Sequence, residues 1–209
     1  MATLFSSKLL FSLCLVIFAM SWEVTKAGDP DILSDFIIPR NLTGVDGNFF
    51  TYTAMRGIFN VPTPQFKVTK ASKAEFPALD GQSVSWAVLQ YPAGTMNPPH
   101  THPRASELLF LVEGTLDVGF VDTTNKLYTQ TLQPGDMFIF PKGLVHYQIN
   151  TDGTNKATAA SGFGSANAGT VSLPSDLFAS GIPDATLANA FKTDVGTIQK
   201  IKAGLAPKA

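Results

Sequence analysis

Between residues 83 and 163 the sequence follows one pattern, in which a short strand-like segment is followed by a turn. Apolar, β-branched and aromatic residues are frequent in the segments, and glycine, proline, asparagine and aspartate separate them. The predicted strands are 83–91, 107–112, 115–121, 126–131, 137–140, 145–149 and 156–163. Six or seven short strands joined by tight turns, with no helix between them, predict an all-β antiparallel sandwich or barrel.

The sequence changes character after this region. Pro183 precedes a predicted helix over 184–191, and Thr193 or Asp194 caps a second helix that ends near Leu205. Apolar residues recur at helical spacing in the second helix, at Val195, Ile198, Ile201 and Leu205. Because two short amphipathic helices bury little on their own, they must pack on the barrel or on another subunit. Both alternatives stay open at this point.

The segment that precedes the barrel is polar and lacks periodicity. Prolines at positions 30, 39, 62 and 64 exclude long helices from it, and residues 49–52 are a candidate short strand. We therefore expect an arm over 28–66, laid on the barrel or on a neighbouring subunit. The barrel is expected over 67–180 and a helical extension over 181–209.

The first 27 residues have the features of a secretory signal peptide. Lys8 precedes an uncharged run over 9–20, and small residues at positions 25 and 27 predict cleavage after Ala27. The run is short for a membrane span, although an uncleaved anchor is the alternative. We expect no membrane span in the mature chain. The sequon Asn41-Leu42-Thr43 then predicts an exposed, glycosylated loop.

Composition limits the partners and the covalent chemistry. The formal net charge is −1 and the basic residues are scattered, so nothing indicates nucleic acid or an anionic membrane as a partner. Charged residues make up only 15% of the chain, which favours a large core or a surface covered by other subunits. The single cysteine, Cys14, lies in the predicted signal peptide, so the mature protein would have no disulfide.

The three histidines of the chain all lie in two compact segments. His100 and His102 are one residue apart, with Glu107 shortly after them, and His146 lies in a second glycine- and proline-marked segment, 135–150. Residues i and i+2 of a strand point to the same side, which would place two imidazoles together. A single buried histidine is more often a hydrogen-bonded core residue than a ligand. The nearby carboxylate and the second segment favour one metal site.

Three neutral nitrogens and one carboxylate oxygen suit a borderline divalent ion, namely Mn, Fe, Co, Ni or Zn. The absence of a thiolate in the mature sequence argues against structural zinc or copper(I). An octahedral ion held by four protein ligands would keep two positions open for water, dioxygen or a chelating substrate.

Both segments match the two cupin motifs at every position. The first motif, Gly-x5-His-x-His-x4-Glu-x6-Gly, is met at Gly94, His100, His102, Glu107 and Gly114. The second, Gly-x5-Pro-x-Gly-x2-His-x3-Asn, is met at Gly135, Pro141, Gly143, His146 and Asn150. Within the cupins the chain resembles plant germin-like proteins, on the evidence of residues 97–107 and 140–146, the signal peptide and the helical tail.

This resemblance implies a cupin jelly-roll β-barrel with an N-terminal arm and a short C-terminal α-helical hairpin. It implies one manganese per subunit, bound by His100, His102, Glu107 and His146. It also implies a homohexamer built as a trimer of dimers, secreted to the plant apoplast and cell wall, with a role in defence or stress.

The sequence departs from the germin pattern in two places. Germins usually hold the N-terminal arm with a disulfide, but Ile37 follows Asp35-Phe36 where the first cysteine is expected. Members that oxidise oxalate are thought to use two asparagines near the metal. Asn97 matches one of them, whereas the other position is Ala87. Oxalate oxidase activity is therefore disfavoured.

Two classes of function remain. One is redox chemistry on a small oxygen species, foremost superoxide dismutation, with Asn97 as a residue next to the metal ligands. The other is a non-enzymatic wall or receptor-type protein that binds a small carboxylate such as auxin. A sugar epimerase is disfavoured because no fourth histidine is left to act as a base.

Overall fold

The computed structural model describes residues 28–205, and the predicted signal peptide, residues 1–27, lies outside the described residues. The strands are β1 (Lys67–Ala71), β2 (Ser85–Tyr91), β3 (Met96–Thr101), β4 (Glu107–Glu113), β5 (Leu116–Val121), β6 (Leu127–Leu132), β7 (Met137–Phe140), β8 (Val145–Ile149), β9 (Ala157–Phe163) and β10 (Val171–Ser172). The α-helices that follow are α1 (Leu173–Phe178), α2 (Asp184–Ala190) and α3 (Val195–Leu205). Short 3₁₀ helices occur at Ile58–Asn60 and Pro77–Leu79.

The strands form two five-stranded sheets in which every pairing is antiparallel. The first sheet has the order β1-β2-β9-β4-β7 and the second has the order β10-β3-β8-β5-β6. Since consecutive strands often lie in different sheets, the chain winds around a common interior as a jelly-roll barrel. The predicted all-β class and the short C-terminal helices are confirmed.

The hydrophobic core fills the space between the sheets. In β4 the side chains alternate, so that Leu109 and Leu111 are fully buried whereas Leu108 and Val112 lie on the outer face. Leu116 of β5 and other inward residues complete this core. Burial of apolar area contributes roughly 25 cal/mol per Å², so this layer supplies most of the driving force for closing the barrel.

Gly114 makes the turn between β4 and β5 possible. Its φ is +82°, and a Cβ built there would lie 2.4 Å from the backbone oxygen of Lys156. Any other residue would collide with main chain that cannot move aside, which explains why a glycine follows β4.

Three strands were missed by the sequence pattern. β3 was not among the predicted strands, although the argument for His100 and His102 assumed that both lie in a strand. It contains Pro98 and Pro99, and proline cannot donate to a sheet ladder. The β3–β8 ladder accommodates them through a shift in register between Asn97 and His100. β1 and β10 are the edge strands of their sheets, each paired with a neighbour on one side. An edge strand is less buried than a central one, so its pattern of apolar residues is weaker.

The candidate strand at residues 49–52 is not formed. Residues 47–50 form a turn and residues 51–52 are irregular. The Asp46 carboxylate accepts hydrogen bonds from the backbone N–H and the side-chain amide of Asn48, and the Thr51 hydroxyl donates to the Gly47 carbonyl. These local side-chain bonds compete with strand formation.

Asp29 attaches the start of the arm to the barrel. Its carboxylate accepts hydrogen bonds of 2.6 Å from the hydroxyl of Ser165 and from the backbone N–H of Ala166. Its own backbone N–H donates to the Ser83 hydroxyl at 3.2 Å. In a chain without the arm disulfide, hydrogen bonds from residues on two different loops hold this end in place.

The three helices share a small core and leave apolar residues exposed. Ile198 of α3 is fully buried against Leu187 and Ala188 of α2, and Phe178 packs on them. Other apolar side chains of the helical region are about half exposed, namely Phe191, Val195, Ile201 and Leu205. Of the four predicted apolar positions of α3, Ile198 is therefore buried, whereas Val195, Ile201 and Leu205 contribute to an apolar surface.

Candidate metal centre

The barrel interior brings all four predicted metal ligands together. β3 and β8 are paired so that His100 lies directly opposite His146, with ring centroids 4.1 Å apart. His102 follows the last residue of β3, and Glu107 is the first residue of β4 in the other sheet. All four side chains are buried, and one ligand atom from each lies within 4.8 Å of the other three.

Each imidazole is oriented by a backbone carbonyl. Nδ1 of His100 donates to the Pro98 carbonyl at 2.7 Å, and Nδ1 of His146 donates to the Leu144 carbonyl at 2.8 Å. Nδ1 of His102 makes a short hydrogen bond to the carbonyl of Gly169. Because a carbonyl can only accept, the proton is assigned to Nδ1 in each ring. Each Nε2 then has a free lone pair, as metal binding requires.

The lone pairs point at a carboxylate, which is unfavourable unless a positive charge lies between them. Nε2 of His102 and Nε2 of His146 lie 3.0 and 3.3 Å from the same oxygen, Oε2 of Glu107. Two acceptors at that separation repel each other. Either added protons on the rings or one shared cation must satisfy them, and a divalent metal does so for all four groups at once.

Charge and burial set the ionisation of the site. Burial, followed by the nearby His146, lowers the pKa of His100 to about 4, so its ring is neutral near neutral pH. Burial, the largest effect, would raise the pKa of Glu107, but His102 and His146, which can donate to its carboxylate from Nε2 when their rings are protonated, outweigh burial and lower that pKa to about 2. The centre thus offers an ionised carboxylate and at least one neutral imidazole without further rearrangement.

Glu107 is held from its other side by Ser161 of β9. The Ser161 hydroxyl donates to Oε1 of Glu107 at 2.7 Å, and both side chains are buried. Ser161 was not identified from the sequence. Its signal was present, because it is a polar residue at an inward position of the predicted strand 156–163.

Asn97 lies beside the centre in a second polar group. Its side-chain amide donates at 2.8 Å to Oε1 of Gln148 and lies 3.4 Å from Nε2 of His100. The Tyr91 hydroxyl also donates to Oε1 of Gln148, at 3.3 Å. Gln148 and Tyr91 are both fully buried, and neither was identified from the sequence. Together they fix the position of the Asn97 amide at the edge of the site.

A cavity of about 280 Å³ connects the centre to the surface. His100, His102 and Glu107 line its inner end, together with Asn97 and Ala87. Phe163 and Leu89 add apolar wall. The space admits a small molecule. Its lining includes the carboxamides of Asn97 and of the exposed Asn167, whereas Ala87 contributes only a methyl group.

The asparagine of the sequon lies on the protein surface. Asn41 and its neighbours are exposed, in a turn where the backbone N–H of Leu42 donates to the Pro39 carbonyl. This position is accessible to a modifying enzyme.

Comparison with known proteins agrees with the geometry. The family model described as Cupin matches residues 60–199. Germin-like protein 9-3 of Oryza sativa subsp. japonica is 56% identical over 210 residues, which cover 97% of this chain and 98% of the relative. The chain belongs to the germin-like proteins of the cupin family.

Solved structures of oxalate oxidase share the fold of this germin-like chain. One has a TM-score of 0.77 at 32% identity, covering 87% of this chain and 100% of the other. A second, oxalate oxidase in complex with the substrate analogue glycolate, has a TM-score of 0.77 at 31% identity with the same coverage. Within residues 28–205 of the germin-like chain, no helix combines the length and the apolarity needed to cross a bilayer.

Proposed function

We propose that this germin-like protein is a secreted manganese-binding protein of the plant apoplast that removes superoxide. The ligands would be His100, His102, Glu107 and His146. The observation that supports a metal most directly is the approach of two imidazole Nε2 atoms to one carboxylate oxygen, at 3.0 and 3.3 Å, inside a buried site. A role in defence or stress responses fits an extracellular enzyme of this kind.

The donor set suits manganese because it combines nitrogen and oxygen ligands and has no thiolate. When bound, manganese supplies a one-electron couple, through which one superoxide is oxidised to dioxygen and a second, with two protons, is reduced to hydrogen peroxide. The protein residues position the small substrate and exclude larger molecules. The Asn97 amide, fixed by Gln148, can donate a hydrogen bond to a small oxygen species, and Phe163 and Leu89 keep the inner cavity narrow.

The decisive experiment is a superoxide assay on manganese-loaded protein of residues 28–209, with elemental analysis of the same sample. A metal-free Glu107→Ala variant is the control. Superoxide removal well above this control, in proportion to bound manganese, is expected. Equal rates in the two samples would end the proposal of superoxide removal.

A second function, non-enzymatic binding of a small carboxylate such as auxin, is supported by the shape of the cavity. The cavity joins a polar inner end to apolar walls, and a similar fold has been solved with glycolate. Calorimetric titration with an auxin, with and without manganese, tests it. Tight binding without turnover would favour this alternative over an enzyme.

Oxalate oxidase activity is disfavoured by Ala87. This side chain lines the cavity where a second asparagine would be needed to hold a dicarboxylate. Adding oxalate to the manganese-loaded protein and recording hydrogen peroxide tests the point.

We also propose that the protein is secreted, glycosylated at Asn41 and assembled as a homohexamer, a trimer of dimers. The exposed position of Asn41 supports the modification. The half-exposed apolar side chains of the helical region support an oligomer, because monomers seldom leave such a patch uncovered. The molar mass in solution, before and after glycosidase treatment, checks both points.

A further inference from the structure

The entrance of the cavity carries a positively charged side chain, Lys70, which is not part of the metal centre. Lys70 of β1 is paired with Ala87 of β2, and directly opposed residues of an antiparallel pair point to the same face. Lys70 therefore shares the cavity side of the sheet with Ala87. Among the described residues that line the cavity, Lys70 is the one with a cationic side chain, and Glu107 is the one acid.

The Lys70 ammonium is only loosely paired. Its Nζ lies 3.7 Å from Oε1 of Glu75, which is longer than a hydrogen bond, and its side chain is 65% exposed. The other oxygen of Glu75 is engaged within its own turn, where it accepts hydrogen bonds from the backbone N–H and the hydroxyl of Ser72. Glu75 is thus held in place by Ser72, and Lys70 is free to turn toward an incoming anion.

We propose that Lys70 is an anion-capture residue at the cavity mouth, which selects small anions for the metal centre. This inference rests on the proposed function, and it narrows the substrate class to small anions, of which superoxide and a short carboxylate are examples. A cation beside a low-dielectric cleft raises the local concentration of anions and their rate of entry. The field extends about 10 Å at 0.1 M salt, so it acts over the mouth of the cavity.

A second exposed lysine, three residues further along the chain, provides a matched control. Lys73 is also exposed, and it pairs with Asp80 at 3.1 Å, but it does not line this cavity. Lys70→Gln removes the charge at the mouth, Lys73→Gln removes an equal charge nearby, and Lys70→Arg keeps the charge. Glu75→Gln removes the negative partner and should act in the opposite direction.

The test is the affinity of manganese-loaded protein for glycolate, read from the Mn(II) electron paramagnetic resonance signal or by calorimetry. At 20 mM ionic strength, Lys70→Gln should raise the Kd about two- to fivefold, the size expected for one exposed charge. Lys73→Gln and Lys70→Arg should leave the Kd unchanged, and Glu75→Gln should lower it. The difference should largely vanish at 500 mM salt.

The possible results distinguish a failure of the role proposed for Lys70 from a failure of the proposed metal centre. Equal Kd values for the wild type and Lys70→Gln at low salt would overturn the role of Lys70 and leave the metal centre untouched. An equal loss in Lys73→Gln would overturn it as well, because it would show a general charge effect. If glycolate binds to none of the manganese-loaded proteins, a centre open to small anions is itself refuted. Should Lys70→Gln fold poorly, Lys70→Met, which keeps an unbranched side chain without the charge, replaces it, and an unchanged Kd in that variant would equally overturn the role of Lys70.

Discussion

The hydroxyl of Ser161 donates to Oε1 of Glu107 at 2.7 Å, deep between two neighbouring strands of the first sheet. This bond leaves Oε2 of the same carboxylate to face the Nε2 atoms of His102 and His146. One oxygen is thereby tied to the scaffold and the other is directed at the centre. A ligand held this way loses little freedom when a metal binds.

Replacing Ser161 with alanine should weaken metal binding without changing any ligand. Loss of an outer hydrogen bond to a ligand typically costs 10- to 100-fold in metal affinity, and we expect a loss of about tenfold or more in Ser161→Ala. Competition with a chelator measures it. Ser85→Ala is the matched control, since Ser85 is also buried but donates to the Ser165 carbonyl. A similar loss in both variants would contradict the specific role of Ser161.

The stability of the metal-free protein should fall as the pH falls. The pKa of His100 is about 4 in the folded protein, below its ordinary value of 6.5, and the pKa of Glu107 is about 2, below 4.5. The unfolded chain therefore binds more protons, so both groups stabilise the fold fully above pH 6.5. The contribution of His100 is lost between pH 6.5 and 4, and that of Glu107 between 4.5 and 2.

Urea unfolding of metal-free protein at a series of pH values measures this dependence. The unfolding midpoint should decrease steadily from pH 7 to pH 4. A constant midpoint over this range would show that His100 is not held neutral by burial. Bound metal should also be released as the pH falls, because protons compete for the same nitrogens.

Replacing Ala87 with asparagine, which adds a second carboxamide to the site beside that of Asn97, should give the protein oxalate oxidase activity. Ala87 is 2% exposed and lines the cavity near His100 and Glu107. The wild type should release no hydrogen peroxide from oxalate above a metal-free control, whereas manganese-loaded Ala87→Asn should release some, because the new amide can donate to the second carboxylate. Ala87→Leu adds similar volume without a donor and should stay inactive. Activity in the wild type would refute the importance of Ala87.

Removing the Asp29 carboxylate should loosen the arm. Its two hydrogen bonds to Ser165 and Ala166 join the arm to a loop of the barrel. Asp29→Ala should lower the free energy of unfolding by about 1–3 kcal/mol, since a charged acceptor is lost and two donors are left unpaired. Limited proteolysis should then cut the arm faster. Asp31→Ala, at an exposed position on the same arm, should have little effect, and equal effects in both variants would contradict this account.

Much of the molecule could be predicted from local patterns. Turn residues and alternation located seven of the strands, and the three histidines with Glu107 marked one buried cluster. The extent of β3 was not predicted beyond the strand assumed at His100 and His102, because Pro98 and Pro99 weaken the local strand pattern, whereas pairing with β8 and a shift in register hold them in a strand. The candidate strand at 49–52 was wrong because bonds within the Asp46 turn outcompete strand formation there.

The sequence by itself determined the β class, the residue types at the centre and the spacing of His100, His102 and Glu107, since all of these depend on neighbours along the chain. Only the tertiary structure decided that His146 lies opposite His100, that Ser161 reaches Glu107 and that Lys70 stands at the cavity mouth. The physical reason is register. Which side chains meet across strands depends on how distant segments are paired, and a shift of one residue would turn each side chain to the opposite face.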